Sequence, residues 1–238
     1  MPESIPHELA ENLAYYRSSQ AIDSLSIYRF YDDEEHLIKT YFKPGTKVLD
    51  LACGMGRTTL PLYEMGYAVR GIDRSEILIE IAQRRLPYLD LKVGSFDKIE
   101  EPDASYPNIL ISHNGIDYAF PLEQRLQALK ECVRVLTPNG ILFYSSHNLK
   151  SMHLLSPYYR DRKLWKIGNC LKAFKEWTYL NEQGLHTFYA THQHVIKQSE
   201  YAGLRLLEMR WFSKFGIERL DRYFSPYIQY VFTKPNVA

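Results

Sequence analysis

Two aspartates and a pair of glycines carry the most legible chemistry in this chain. Asp50 lies near the end of a short apolar run, Lys47-Val48-Leu49-Asp50-Leu51-Ala52, and the turn Cys53-Gly54-Met55-Gly56 follows at once. Gly54 and Gly56 let the backbone pass close to a ligand, with the N–H groups of the next helix pointing at it. Asp73 ends the following apolar run, 17 residues after Gly56, with Arg74 beside it. An acid there can hold the two hydroxyls of a ribose. The arrangement is a cradle for a nucleotide cofactor. A dinucleotide would require GxGxxG and no charge just ahead of the glycines, because its pyrophosphate sits there. In this chain Thr59 occupies the third glycine position, and Asp50 would repel a phosphate. It suits a ligand with an ammonium, a sulfonium and no phosphate, which describes S-adenosyl-L-methionine.

Further candidates stand where later apolar runs end. His113 and Asn114 follow Asn108 to Ser112, and His147 follows Ile141 to Ser145. Open parallel sheets bind ligands at that edge. Either histidine could serve as a general base for O-methylation, or as a hydrogen-bonded residue around the site. Asp117 and Tyr118 are similar candidates. His186, His192 and His194 invite a metal reading. His192 and His194 diverge by about 200° on a helix, and no Cys or acid completes a set nearby, so no metal is expected.

Positioning these groups requires alternating strands and helices. The spacing predicts helices at Glu8–Tyr16 and Ser24–Tyr41, the second stopped by Pro44-Gly45. Strands follow at Lys47–Ala52, Tyr67–Ile72, Leu89–Val93, Asn108–Ser112 and Ile141–Ser145. Between them lie helices at Arg57–Glu64, at Glu76–Arg85 capped by Ser75, and along the face Leu122, Leu126, Leu129, Val133 and Leu136. Thr137-Pro138-Asn139-Gly140 is expected to turn. After an aromatic and basic stretch from Asn148 to Leu185, a strand at His186–Ala190, a helix capped by Thr191 and strands at Leu204–Trp211 and Tyr227–Phe232 complete the chain. Such alternation means a doubly wound α/β fold, a parallel sheet with helices on both faces.

Val48-Leu49-Asp50-Leu51-Ala52-Cys53-Gly54-Met55-Gly56-Arg57 resembles the first motif of class I S-adenosylmethionine-dependent methyltransferases, with Ala52 where the family's first glycine usually lies. Gly71-Ile72-Asp73 resembles the second motif. Val93-Gly94-Ser95-Phe96 resembles the third, with Ser95 in place of the family's usual adenine-binding aspartate. Ile109-Leu110-Ile111-Ser112-His113-Asn114 is similar to strand four and its turn, and Arg134-Val135-Leu136-Thr137-Pro138-Asn139-Gly140 to the approach to strand five. The resemblance implies a Rossmann-like, seven-stranded, mostly parallel sheet with a reversed last hairpin. It implies a cofactor site of Asp50, Ala52, Gly54, Gly56, Asp73, Arg74, Ser95, Phe96, His113 and Asn114. It also implies N-terminal helices that close over the cofactor, so that one of Tyr15, Tyr16, Tyr28 or Tyr31 could reach it.

Composition bounds the rest. The chain has 238 residues, 45% of them hydrophobic, enough for one full core. Residues 1–45 are expected to form a helical cap, 46–148 the cofactor-binding core, 149–185 an inserted acceptor lid and 186–238 the completion of the sheet. No apolar run approaches the roughly 18 residues that span a bilayer, and the N-terminus lacks a secretory pattern. Three widely separated cysteines, Cys53, Cys132 and Cys170, argue for reduced thiols and a cytoplasmic setting. Net charge is +1, but Lys150 to Lys175 carries seven cations against Asp161. With the aromatics around them, these cations suit a small or medium acceptor bearing an anionic or aromatic group. An RNA-directed methyltransferase, a dinucleotide oxidoreductase and an idle cofactor-binding partner subunit are the rival readings. Against RNA stand the absence of a recognition module and the low net charge.

Overall fold

A computed structural model describes residues 7–119, 122–149, 176–180, 185–212, 221 and 225–236. Most of the expected acceptor lid, including Tyr158, Tyr159, Trp165, Phe174 and every cation of the basic stretch, lies outside the described residues.

The central element is β1 (Lys47–Leu51), buried from Val48 onward. Its side chains alternate between two cores, as the period of a strand dictates. Val48 joins Leu37, Ile38 and Phe42 of the N-terminal region, whereas Leu49 and Leu51 join Leu129 and Val195 on the opposite face. Both faces are therefore covered, the condition under which a parallel sheet forms. β2 (Ala68–Asp73) and β4 (Tyr106–Ile111) flank β1 in parallel, and β3 (Asp90–Val93) lies outside β2. β5 (Leu136–His147) pairs in parallel with β4. β9 (Tyr227–Thr233) runs antiparallel to β5, and β8 (Arg205–Trp211) antiparallel to β9. The seven-stranded order is β3-β2-β1-β4-β5-β9-β8, the reversed last hairpin included. Strand order reverses between β1 and β4, which opens a crevice at their carboxyl ends.

α1 (His7–Tyr15), α2 (Ser19–Ser24) and α3 (Asp32–Tyr41) precede the sheet. α4 (Thr59–Glu64) and α5 (Glu76–Arg85) link β1 to β3, α6 (Leu122–Val135) precedes β5, and α7 (His192–Tyr201) precedes β8.

Several expectations are corrected. The helix expected from Ser24 to Tyr41 occupies only Asp32–Tyr41: α2 ends at Ser24, and residues 25–31 are not helical. Tyr31 is extended with its backbone N–H donating to the Glu34 carboxylate (2.9 Å), starting α3 there. Ser75 makes no side-chain cap on α5; instead its own N–H donates to Asp73 Oδ1 at 2.8 Å. Thr137 to Gly140 forms a bulge within β5, where Asn139 takes a left-handed φ of 60° and the pairing jumps from Tyr106–Leu136 to Asn108–Ile141. β7 (His186–Ala190) does not pair with the seven strands through a ladder. It pairs antiparallel with β6 (Glu176–Leu180) in a separate ribbon. On α6 the deepest positions are Arg125, Ala128, Leu129, Cys132 and Val135, with Leu126 and Val133 only partly buried. The Thr191 cap holds, accepting from His194 N.

Candidate active site

The carboxyl ends of β1, β2 and β4 converge on a cavity of ≈ 270 Å³. Ala52 and Gly54 come from the glycine turn, Ile72, Asp73 and Arg74 from β2, Gly94 and Phe96 from the loop after β3, and Ser112, His113 and Gly115 from the turn after β4. Leu9, Leu13 and Tyr15 of α1, Tyr16 after it, and Leu185 close the opposite side. Of the four N-terminal tyrosines, Tyr15 and Tyr16 therefore reach the cavity, while Tyr31 packs edge-on against His113 at 6.1 Å.

The turn is shaped by left-handed backbone. Gly54 and Gly56 have φ of 56° and 90°. Ala52, where the family has glycine, is also left-handed (φ 54°), a conformation that costs a non-glycine residue about 1 kcal/mol. Asp50 holds this turn from beneath. Its Oδ2 accepts from the hydroxyls of Thr58 (2.8 Å) and Thr59 (2.6 Å), and its Oδ1 is buried without a hydrogen-bond partner. Full burial pushes the Asp50 carboxyl up to about 6, against the opposing pull of the two threonines and Arg57. Cys53 is a buried filler whose thiol burial pushes well above its ordinary range.

Asp73 ties β2 to the turn. Oδ2 accepts from Gly54 N and Oδ1 from Ser75 N, both at 2.8 Å. A carboxylate has about four acceptor positions, so two remain for a ligand. Arg74 leads away from it to the third motif. Its Nε lies 3.1 Å from Ser95 Oγ and its Nη2 2.5 Å from Asp97 Oδ1, with the guanidinium 5.7 Å from the Phe96 ring centre. Ser95 also donates to Asp97. The Ser95 hydroxyl is thus engaged by Arg74 and Asp97, while Gly94 and Phe96 on either side of it face the cavity.

After β4 the chain makes two successive left-handed steps, His113 (φ 50°) and Asn114 (φ 58°). Non-glycine residues hold such angles only where their surroundings over-determine them, and active sites are where they cluster. Asn114 N donates to Ser145 Oγ at 2.8 Å, and Asn114 Oδ1 is buried without a partner. His113 lines the cavity. Desolvation, helped by the Arg57 guanidinium, pushes it down to about 4, so it is neutral at physiological pH.

His147, at the end of β5, is held by Asp117. The same Oδ2 accepts from the His147 backbone N–H (2.6 Å) and lies 2.8 Å from ring Nδ1. A carboxylate can only accept, so Nδ1 carries the proton and Nε2 keeps its lone pair, 3.4 Å from the Asn114 amide nitrogen. Asp117 is fully buried and neutralised by Arg125, whose Nη1 lies 2.5 Å from Oδ1 and whose guanidinium sits 4.4 Å from the Phe188 ring centre. A second buried pair, Glu34 with Arg57 (3.0 Å, two parallel bonds), joins α3 to the turn and, through Ser112, to β4.

Sequence reasoning named Asp117 but missed Arg125, Glu34 and Arg57. A signal existed for Arg125, which sits three after Leu122 and four before Leu129, on the apolar face of α6. Of the expected site residues, Ala52, Gly54, Asp73, Arg74, Phe96 and His113 border one cavity. Asp50 and Ser95 stand behind its wall, and Asn114 with His147 forms a second layer beyond His113.

Residues 48–140 match the model of a methyltransferase domain family. Over that stretch the chain is similar to the class I S-adenosylmethionine-dependent methyltransferases. These are enzymes whose cofactor is S-adenosyl-L-methionine. YqeM of Bacillus subtilis, named as a methyltransferase without a stated acceptor, is 29% identical over 140 residues, 57% of this chain and 56% of that one. The human mitochondrial ubiquinone biosynthesis O-methyltransferase is 32% identical over 111 residues, 44% of this chain and 29% of that one. The alignments thus span about half or less of these relatives' lengths. In fold, the chain is similar to the Burkholderia thailandensis 1,6-didemethyltoxoflavin-N1-methyltransferase, solved with 1,6-didemethyltoxoflavin and S-adenosylhomocysteine. The TM-score is 0.67 at 15% identity, covering 99% of this chain and 93% of that one. No helix among the described residues is long and apolar enough to cross a membrane.

Proposed function

We propose that this chain transfers the methyl group of S-adenosylmethionine to the oxygen or nitrogen of a small or medium-sized acceptor. When bound, the cofactor supplies an activated methyl group, moved by in-line displacement. One observation carries the reading. The cavity at the strand-order reversal carries the Asp73 carboxylate on its wall, and the lining guanidinium, Arg74, is engaged by Ser95 and Asp97. Two acceptors just behind the wall, Asp50 Oδ1 and Asn114 Oδ1, are buried without a hydrogen-bond partner. That arrangement favours a cationic ligand and disfavours a pyrophosphate.

In this reading Asp73, already fixed by Gly54 and Ser75, holds the ribose hydroxyls with its remaining lone pairs. Phe96 covers the adenine, and Asp50, Gly54 and Gly56 serve the methionine side. Arg74 and Ser95 brace the adenine wall through Asp97. α1 excludes water, which matters because charge disperses as the methyl moves. His113 and Asn114 border the reacting methyl. His147, oriented by Asp117, is the group suited to take an acceptor's proton, because its Nε2 lone pair faces away from the carboxylate. The O- and N-methyltransferases to which the chain is similar support a compact acceptor of this kind.

The test is a methyl-transfer assay on a panel of phenols, N-heteroaromatics and amines, with S-adenosylhomocysteine release as the readout. Turnover on at least one compact acceptor is expected. Submicromolar NAD binding, or methylation of RNA alone, would overturn the reading.

A further inference from the structure

Outside the cavity, the fold gathers three potential metal ligands that are far apart in the chain. His7 and Glu11 lie one turn apart on the same side of α1. His186 opens β7, 175 residues beyond Glu11. His7 Nε2 is 3.5 Å from Glu11 Oε1, and His186 Nε2 is 2.5 Å from Glu11 Oε2. The three ligand atoms all lie within 4.8 Å of one another, and the two imidazoles meet edge to face.

We propose that His7, Glu11 and His186 bind one divalent transition-metal ion of the zinc type, which pins α1 against β7 over the cavity. Two imidazoles and a carboxylate are a borderline donor set that suits Zn²⁺, with a fourth position left for water. Tetrahedral zinc with bonds of about 2.0–2.1 Å sets its ligand atoms ~3.4 Å apart. Both histidine–glutamate distances are already near or below that value. His7 and Glu11 side chains, 79% and 45% exposed, have room to rotate for the third.

The backbone beneath is fixed in advance. Buried Asn12 donates to His186 O (2.9 Å) and accepts from His186 N (2.8 Å), so β7 is locked in register against α1 one residue from Glu11. Ligands held by such a second layer lose less freedom on binding metal. The location gives the ion a consequence. Leu9, Leu13 and Tyr15 on α1 and Leu185 beside His186 all line the cavity. An ion here closes a loop spanning most of the chain and raises the cost of lifting α1. That the cavity belongs to the cofactor rests on the proposed function; metal binding and helix protection do not.

The test uses the full chain without a polyhistidine tag, stripped of metal. Titration calorimetry with Zn²⁺ should give one site with Kd of about 1–10 µM, weakened ~10-fold or more in Glu11→Gln, His7→Ala and His186→Gln. Co²⁺ should give weak visible d–d bands without the near-ultraviolet thiolate band. Amide exchange across His7–Tyr15 should slow on adding Zn²⁺ in the parent and not in Glu11→Gln. That variant alters an exposed side chain and keeps Asn12, so it folds even if His186→Gln does not. No saturable Zn²⁺ binding, binding that survives Glu11→Gln unchanged, or a cobalt–thiolate band would each overturn the site. Zinc binding that leaves α1 exchange unaltered would overturn the pinning.

Discussion

At the scale of single residues, the two aspartates divide the labour. Asp73 meets the ligand directly in the proposed reading, so Asp73→Ala should weaken S-adenosylmethionine binding ~30- to 150-fold, the worth of charge-assisted bonds of about 2–3 kcal/mol. Calorimetry within threefold of the parent would mean that the ribose lies elsewhere. Asp50 acts from behind the wall and through its charge. Burial holds its pKa at about 6 in the free protein, and a bound cation favours the ionised form. Cofactor affinity should therefore rise with pH through about 6 in the parent and stay flat in Asp50→Asn. Equal slopes in the two proteins would break that link. The two histidines call for separate tests. His113 is held at about 4 against an ordinary 6.5. Between those values the unfolded chain binds a proton that the folded one does not. Its contribution to stability is therefore lost as pH falls from 6.5 toward 4. His113 stays neutral from pH 5 to 8, so its protonation cannot cause a rate that rises with pH through the histidine range. His147→Ala should lower the maximal rate ~10²–10⁴-fold with cofactor affinity retained if it is the base. A near-full rate would mean that the acceptor needs no base there.

At the scale of elements, buried ion pairs set where helices and loops lock onto the sheet. Arg125 on α6 reaches Asp117 in the turn after β4, and Asp117 in turn holds His147 at the end of β5. Removing the guanidinium leaves a buried carboxylate uncompensated, at a cost of ~3–5 kcal/mol. Arg125→Met should lower the denaturation midpoint accordingly, whereas Arg125→Met with Asp117→Asn should recover much of the loss. Additive losses in chemical denaturation would show that the pair is not coupled. The same logic explains the turn of α6. The helix presents Arg125, Ala128, Leu129, Cys132 and Val135 to the core because Asp117 and Phe188 offer Arg125 a place.

At the scale of the whole molecule, α1 and Leu185, just ahead of β7, lie far apart in the chain and wall one side of the cavity, whose floor comes from the carboxyl ends of β1, β2 and β4. A ligand that touches all of them binds only the folded state. S-adenosylmethionine at 100 times its Kd should thus add about 2.7 kcal/mol of stability. For a chain of this size that is a rise in melting temperature of ~5–10 °C. NAD at equal concentration should give none, and a matching rise with NAD would contradict the electrostatics at Asp50.

The sequence by itself determined the sheet and the cradle. Strand alternation, the Gly54–Gly56 turn and the acids at Asp50 and Asp73 are features of short segments, dictated by side-chain period, left-handed backbone and strand ends. Even the late start of the second expected helix has a local cause, the pairing of Tyr31 N with Glu34, though a helical period hides it. Only the tertiary structure decided what depends on long-range burial. Arg125 went unnamed in the sequence, and the fold sets Asp117 before it; Ser95, expected beside the adenine, has its hydroxyl engaged by Arg74 and Asp97. His186, weighed with His192 and His194 for their nearness in sequence, meets His7 and Glu11 instead. Periodicity specifies which face of an element turns inward; it does not specify which element that face will meet. Charge pairing and metal ligation are contacts between elements, so folding had to bring them together first.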